Sequence, residues 1–334
     1  MEIAIDLGTA NVLVAVRGKG IVLREPSVVA VDRDSGKLVA IGEEARRMLG
    51  RTPGAIIAMR PLRDGVIADY EITEAMLRHF IARVTPGRSM TRPRVMICIP
   101  TGATGAERRA VREAAQSAGA GKVELVEEPL AAALGLGLEI TKPAGQLVVD
   151  IGGGTADVAV LTLGGIAASD SVRVGGDAMD AAIVQELKSA YSLAVGERTA
   201  EEIKIDVGSV HPGATQRETD IRGRDLLTGL PRTLHLTSAD VRGVLMEPAQ
   251  EIVAAVRRVL EQTPPELLSD ILDHGIWLTG GGAMLHGLPE LMARETGVPT
   301  YLAEDPMSSV ALGTARALDM QIVGRHLVIF KRVI

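Results

Sequence analysis

The chain has 334 residues, 46% hydrophobic and 2% aromatic, with a formal charge of −6. That length exceeds what one core serves, so several domains with aliphatic cores are expected, and the acidic balance argues against nucleic acid as a partner. No uninterrupted apolar run reaches the roughly 18 residues that span a bilayer, and no basic-then-apolar leader precedes the first strand, so the expected location is the cytoplasm.

An apolar run at 3–5 leads into Asp6-Leu7-Gly8-Thr9-Ala10-Asn11 and out through a second run at 12–16. This is a strand, an acidic glycine turn and another strand. Glycine has no Cβ, so the N–H groups of such a turn can approach a polyanion closely. Residues 21–31 read as a further strand, and 32–67 as an insertion that leaves the first unit and returns to it. Residues 73–84 have a helical pattern, 94–99 a strand pattern and 106–118 a helical one. The single cysteine, Cys98, lies in the second of these and reads as a small buried hydrophobe. Gly119-Ala120-Gly121-Lys122 is not a Walker motif, because Val123 follows where Ser or Thr is required and Gln116 stands in place of the first glycine. Glu127-Glu128-Pro129 then opens an alanine-rich helix at 130–138.

The opening pattern recurs. A run at 147–149 leads into Asp150-Ile151-Gly152-Gly153-Gly154-Thr155-Ala156-Asp157 and out at 158–163. Two such hairpins facing each other would grip a nucleoside triphosphate from both sides. An Asp at the mouth of each, Asp6 and Asp150, can hold a magnesium ion through its waters. Gly175-Gly176-Asp177 is expected beside the ligand. Residues 179–246 read as a second insertion, with a polar loop at 211–223. Within it, Glu201 and Lys204 share one face of a helix at i and i+3. Trp277-Leu278-Thr279-Gly280-Gly281-Gly282-Ala283 is a strand ending in a glycine run, followed by a helix at 288–295 and a small-residue helix at 309–318.

Strands alternating with helices predict an α/β architecture of two similar halves, with the ligand in the cleft between them. One half takes 1–31, 68–144 and 309–334, the other 145–178 and 247–308. The insertions 32–67 and 179–246 form two outer subdomains.

The order of phosphate turn, connecting helix, phosphate turn, adenosine turn and connecting helix resembles the actin-like ATPase superfamily. Arg60-Pro61-Leu62-Arg63-Asp64-Gly65-Val66-Ile67-Ala68-Asp69-Tyr70, Gly196-Glu197-Arg198-Thr199-Ala200-Glu201 and Thr263-Pro264-Pro265-Glu266-Leu267 are similar to the MreB family of bacterial actins. The likeness runs to about residue 320. It implies an actin-like ATPase fold and an enzyme that hydrolyses ATP to ADP, with Mg2+, as it assembles into filaments. It also implies cell-wall synthesis and morphogenesis proteins as partners, and a role in rod shape.

Carried over residue by residue, the resemblance makes Glu128 the group that orients and polarises the attacking water, helped by the Thr155 hydroxyl. Asp6 and Asp150 would anchor the hydrated cation, with Asp157 nearby on the second hairpin as a third candidate. Gly8, Thr9, Ala10 and Asn11 would hold the phosphates from one side, and Gly152, Gly153 and Gly154 from the other. Gly176, Glu201, Lys204, Gly280, Gly281, Gly282 and Ala283 would border the nucleoside. Three rival readings are a sugar or acetate kinase, a DnaK-type chaperone and a weakly hydrolysing scaffold paralogue. The first needs an acceptor pocket with a base, which no residues here suggest. The second needs a β-domain after the ATPase. The third is disfavoured by the presence of Asp6, Glu128, Asp150 and Thr155.

Such filaments are expected at the inner face of the cell membrane, on anionic lipid. The loop 86–93 offers Met90 as its apolar contact. On a helical projection Ile322, Val323, Leu327, Ile329, Phe330, Val333 and Ile334 share one face, broken by His326 and opposite Arg325, Lys331 and Arg332. That pattern predicts an interfacial helix with Phe330 in the membrane, the alternative being a final helix or strand docked on the first half with its basic edge solvated.

Overall fold

Both acidic glycine turns close β-hairpins. Glu2–Leu7 pairs antiparallel with Asn11–Val16, and Gln146–Ile151 with Ala156–Thr162. The computed structural model that shows this describes all residues except 88–90, 214, 324–325 and 329–334, and only the backbone of 321–323 and 326–328.

Each hairpin is the centre of a five-stranded sheet. The first runs Lys122–Glu127, Arg94–Ile99, Glu2–Leu7, Asn11–Val16, Gly20–Pro26. The second runs Thr300–Leu302, Ile276–Thr279, Gln146–Ile151, Ala156–Thr162, Gly165–Val172. Written this way the two are the same: two parallel strands, then an antiparallel meander of three. The duplicated motif is thus a duplicated sheet.

Strand periodicity decides where the aspartates go. Ile3, Ile5 and Leu7 enter the core of the first half, while Ala4 faces a separate cluster shared with the second. Leu147, Val149 and Ile151 likewise enter the second core, and Val148 the shared one. Side chains alternate faces along a strand. Asp6 and Asp150 therefore lie on the shared side, at the carboxyl ends of their strands.

The helices Glu128–Leu136 and Ser309–Ala317 fill that seam. Pro129 suits the first turn of the former, where a missing N–H costs nothing, and Gly137 ends it at φ 77°. The helices cross in near backbone contact. A Cβ on Gly135 would lie 1.8 Å from the Ser309 carbonyl oxygen, and one on Gly313 would lie 1.6 Å from that of Ala131. Arg316 reaches back to the carbonyls of Leu134 and Gly135, closing the end of the first helix.

Two sequence expectations need correction here. Residues 21–31 are not one strand but two, Gly20–Pro26 and Val29–Asp32. Pro26 has no N–H to continue the ladder, and Ser27 is tied to the first phosphate turn instead. Its N–H donates to Ala10 O at 2.9 Å and its hydroxyl to Gly8 O at 2.5 Å. Val29–Asp32 then joins a small sheet with Leu38–Ile41 and Ile56–Met59.

The second correction concerns the carboxyl end. Gln321–Val323 pairs antiparallel with His326–Val328, so the helical projection fails over those residues. The β-branched Ile322, Val323 and Val328 favour a pleated strand. Met90 and Phe330 lie outside the described residues. Among the described residues no helix is long and apolar enough to cross a membrane.

The second insertion carries a sheet of Leu193–Ala194, Glu218–Asp225 and Pro231–Thr237. The helix Gly176–Tyr191 leads into it, with Met179, Ile183 and Leu187 buried in the second core.

Candidate functional site

A cavity of about 400 Å3 opens where the two hairpins face each other. The first hairpin lines it with Asp6, Gly8, Thr9, Ala10 and Asn11, and the second with Asp150, Gly152, Gly153, Gly154 and Thr155. Glu128, at the start of the connecting helix, faces in between them. Gly176, Glu201, Lys204, Gly280, Gly281 and Gly282 complete the wall.

Two of the expected residues stand elsewhere. Ala283 is fully buried and does not reach the cavity. Asp157 is fully buried opposite Asp150 in the hairpin, where one carboxylate oxygen accepts the N–H of Thr101 at 2.7 Å. Thr101 follows the strand Arg94–Ile99, so Asp157 joins the second hairpin to the first half. Cys98 does more than pack: its thiol donates to Asp6 Oδ1 at 3.2 Å.

Burial raises the proton affinity of these carboxylates, and at Asp150 and Glu128 the neighbouring acids add to it. Burial pushes Asp6 up to about 6, opposed by the Cys98 hydrogen bond. Burial, then the charges of Asp6 and Asp157, holds Asp150 well above the usual carboxylate range. Burial, then Asp157, Asp150 and Asp6, does the same to Glu128. Asp150 Oδ1 is buried with no hydrogen-bond partner among the described residues.

Such a cluster calls for positive charge. Among the described residues no three side chains could by themselves hold a metal ion. Asp6 and Asp150 at the turn mouths, the latter with an unpartnered buried oxygen, fit a cation that keeps most of its waters and touches the protein through one or two carboxylates, as Mg2+ does beside phosphates.

Where Gly176 and Glu201 line the cavity, Lys204 forms its ion pair with a residue other than Glu201. Its Nζ lies 2.9 Å from Asp180 Oδ1 and donates to Gly176 O at 3.1 Å. Asp180 is the more buried carboxylate and lies a helix away, so spacing within one helix could not reveal the pairing. Ile205, Arg217, Met284 and His286 also line the cavity. The sequence reading passed over all four, and the polar loop holding Arg217 was the one signal available.

Asp180 allows a prediction. Its pKa is raised from 3.8 to about 6, burial outweighing the attraction of Lys204. A carboxyl that binds its proton more tightly when folded favours the folded state below the unfolded value of 3.8. That contribution is lost as the pH rises through the folded value, about 3 kcal/mol in all. Denaturant titrations should then show Asp180→Asn gaining on the unaltered protein by about 2–3 kcal/mol between roughly pH 4 and pH 7. A stability difference that stays constant over that range would contradict it.

The first insertion reaches the site twice. Arg60 Nη1 pairs with Asp177 Oδ1 at 2.6 Å across the cleft. The turn between Leu62–Arg63 and Val66–Ile67 places Gly65 in the cavity wall, its N–H donating to Thr9 Oγ1 at 3.0 Å. Asp64-Gly65 is a turn dipeptide on sequence grounds, but what it touches is not legible there.

Comparison with known proteins accords with this geometry. A family model described as MreB/Mbl protein matches residues 1–323. The chain is 56% identical over 318 residues to the cell shape-determining protein Mbl of Bacillus cereus, covering 95% of this chain and 96% of that one. It is 52% identical over 324 residues to the cell shape-determining protein MreB of Escherichia coli, covering 96% and 93%.

Among solved structures, MreB5 of Spiroplasma citri bound to ADP superposes with a TM-score of 0.89 at 39% identity, over 93% of this chain and 94% of that one. The same protein bound to AMPPNP gives the same score. A MamK double helical filament shares the fold at a TM-score of 0.81 and 21% identity, over 96% of this chain and all of that one. The doubled sheet, the cleft between its copies and a match that runs along almost the entire sequence agree: this chain belongs to the MreB/Mbl family and has the actin-like α/β fold.

Proposed function

We propose that this protein binds ATP with Mg2+ in the cleft, hydrolyses it to ADP and phosphate, and polymerises in step with that cycle into filaments that set cell shape. The observation that carries the reading is the pair of glycine hairpins facing each other across one cavity, with Glu128 between them. Solved relatives hold ADP and AMPPNP, and curated relatives are named as determinants of cell shape. The four-subdomain division drawn from the sequence, two core halves and two insertions, is part of this proposal.

The chemistry follows from what the residues can do. Backbone N–H groups at Gly8, Thr9, Ala10 and Asn11, and at Gly152, Gly153 and Gly154, can converge on the phosphates from opposite sides. Asp6 and Asp150 would hold the hydrated cation, which supplies counter-charge to the phosphates and the carboxylates alike. Glu128 accepts a hydrogen bond from a water aimed at the terminal phosphorus, with the Thr155 hydroxyl as second partner. As the water oxygen bonds to phosphorus, the bond to the ADP oxygen breaks and the water's proton passes to the Glu128 carboxylate. Positioning and electrostatics supply most of such catalysis. Lys204, Glu201 and Gly176 border the nucleoside, with Gly280, Gly281 and Gly282 beside it.

ATP bridging both halves links the cleft to assembly. If ATP favours the polymerising conformation by about 2–3 kcal/mol, the subunit equilibrium moves roughly 30- to 150-fold. Pelleting with ATP, with ADP and without nucleotide should give a critical concentration lowest in ATP. Equal values in all three would overturn the coupling.

Attachment to the inner face of the membrane, on anionic lipid, and to cell-wall synthesis proteins completes the proposal. It is supported by the apolar and basic composition of 322–334 and by Met90. Removing residues 324–334 should release filaments from anionic liposomes with ATPase activity intact. Unchanged co-sedimentation would move the contact to the 86–93 loop.

A further inference from the structure

Glu127 ends the strand Lys122–Glu127 and immediately precedes the helix Glu128–Leu136, where a polar side chain commonly turns back to cap the helix. It does not cap. Its carboxylate, 6% exposed, accepts a hydrogen bond from Arg108 Nη2 at 2.8 Å. Arg108 belongs to the helix Gly105–Ser117, whose Val111, Ala114 and Ala115 pack into the first core. The same guanidinium donates from Nε to Ala103 O at 3.1 Å. Two residues earlier Thr101 gives its N–H to Asp157 of the second hairpin. One arginine thus ties the strand end that carries Glu128 to the loop that meets the other half.

Glu128 is held differently. Its surroundings are the charges of Asp157, Asp150 and Asp6, all of which repel an ionised carboxylate, and among the described residues no hydrogen bond opposes them. Its location is therefore set by its backbone, and the adjoining residue is the one that Arg108 fixes.

We propose that Arg108, acting through Glu127, is a positioning residue for hydrolysis: the ion pair holds the strand–helix junction so that Glu128 meets the attacking water. This rests on the role given to Glu128 above. Removing Arg108 would take a charged, hydrogen-bonding partner from a buried carboxylate, which the fold relieves by shifting the junction. A misplacement of about 1 Å at a catalytic group can cost roughly 100-fold in rate.

The test is single-turnover ATP hydrolysis at protein concentrations below assembly, with ATP affinity measured separately. Arg108→Ala, Arg108→Lys and Glu127→Gln are made alone and on top of Glu128→Ala. Arg108→Ala and Glu127→Gln should each slow hydrolysis by roughly 10- to 100-fold, with affinity changed by less than about threefold. Arg108→Lys should recover part of the rate, because it keeps the charge but loses the planar fork. In the Glu128→Ala background Arg108→Ala should change the residual rate no further, since nothing is left to position.

Unaltered rates in Arg108→Ala and Glu127→Gln would overturn the proposal. So would equal losses in the two backgrounds, or a loss confined to affinity, which are marks of a purely structural role. If Arg108→Ala does not fold, Glu127→Gln, which removes the charge and keeps the shape, decides alone. A Glu128→Ala protein as fast as the unaltered one, or an unaltered chain that hydrolyses no ATP, would instead bring down the catalytic reading and the proposal with it.

Discussion

Replacing Glu128 with alanine should slow ATP hydrolysis by about 10²–10⁴ while ATP affinity changes by less than about threefold. The residue faces the cavity from the start of a helix, and the two glycine turns that line the same cavity belong to other elements. Removing its carboxylate leaves both hairpins, Asp6 and Asp150 in place. It also removes one of the mutually repelling buried acids, so the nucleotide-free melting temperature should not fall. Asp150→Ala should behave oppositely, weakening the binding of Mg-ATP, because Asp150 lines the cavity with a buried oxygen that has no hydrogen-bond partner among the described residues. Filaments of Glu128→Ala should outlast those of the unaltered protein under pelleting after a nucleotide chase. If Glu128→Ala abolished ATP binding and Asp150→Ala spared it, the two roles would be the wrong way round.

Gly313→Ala should be the most damaging single methyl group in the molecule. Its Cβ would lie 1.6 Å from the Ala131 carbonyl oxygen, far inside van der Waals contact, and that oxygen belongs to a helix backbone that cannot turn aside. Overpacking usually costs about 1–3 kcal/mol. Here relief requires two helices to separate along the seam joining both halves, so a loss of at least about 3 kcal/mol is expected, a large part of typical domain stability. Gly243→Ala is the control. That glycine lies exposed in the helix Ser238–Gln262 with nothing within 4 Å of its Cβ position, so alanine should stabilise by about 0.5–1 kcal/mol. Denaturant midpoints of the two variants should move in opposite directions. A Gly313→Ala protein as stable as the original would mean that the helices do not cross as closely as described.

The sequence by itself determined the repeated hairpins, the alternation of strand and helix, and the face on which Asp6 and Asp150 point. These are local properties: apolar runs of strand length, turns that need glycine, and a side-chain period of two. The connecting helices were legible for the same reason, from Pro129 at one start and runs of small residues in both. What it could not supply was pairing between distant segments. Residues 21–31 are continuously strand-like, yet Pro26 and the bonds of Ser27 to the first turn divide them between two sheets. The carboxyl-terminal pattern fits a helix by projection, but Ile322 and Leu327 face each other across a strand pair. Lys204 shares a helix face with Glu201 and is held by Asp180 of another helix. Asp157 has the sequence of a cation ligand, and Thr101, more than fifty residues earlier, takes one of its two oxygens. Arg60 meets Asp177 only because the first insertion folds against the second half, and Arg108 meets Glu127 only because a helix packs beside a strand end nineteen residues further along the chain. Periodicity and turn chemistry are written residue by residue. Which carboxylate a given cation or N–H reaches depends on burial and on distances between segments far apart in the chain, and the tertiary fold alone sets those.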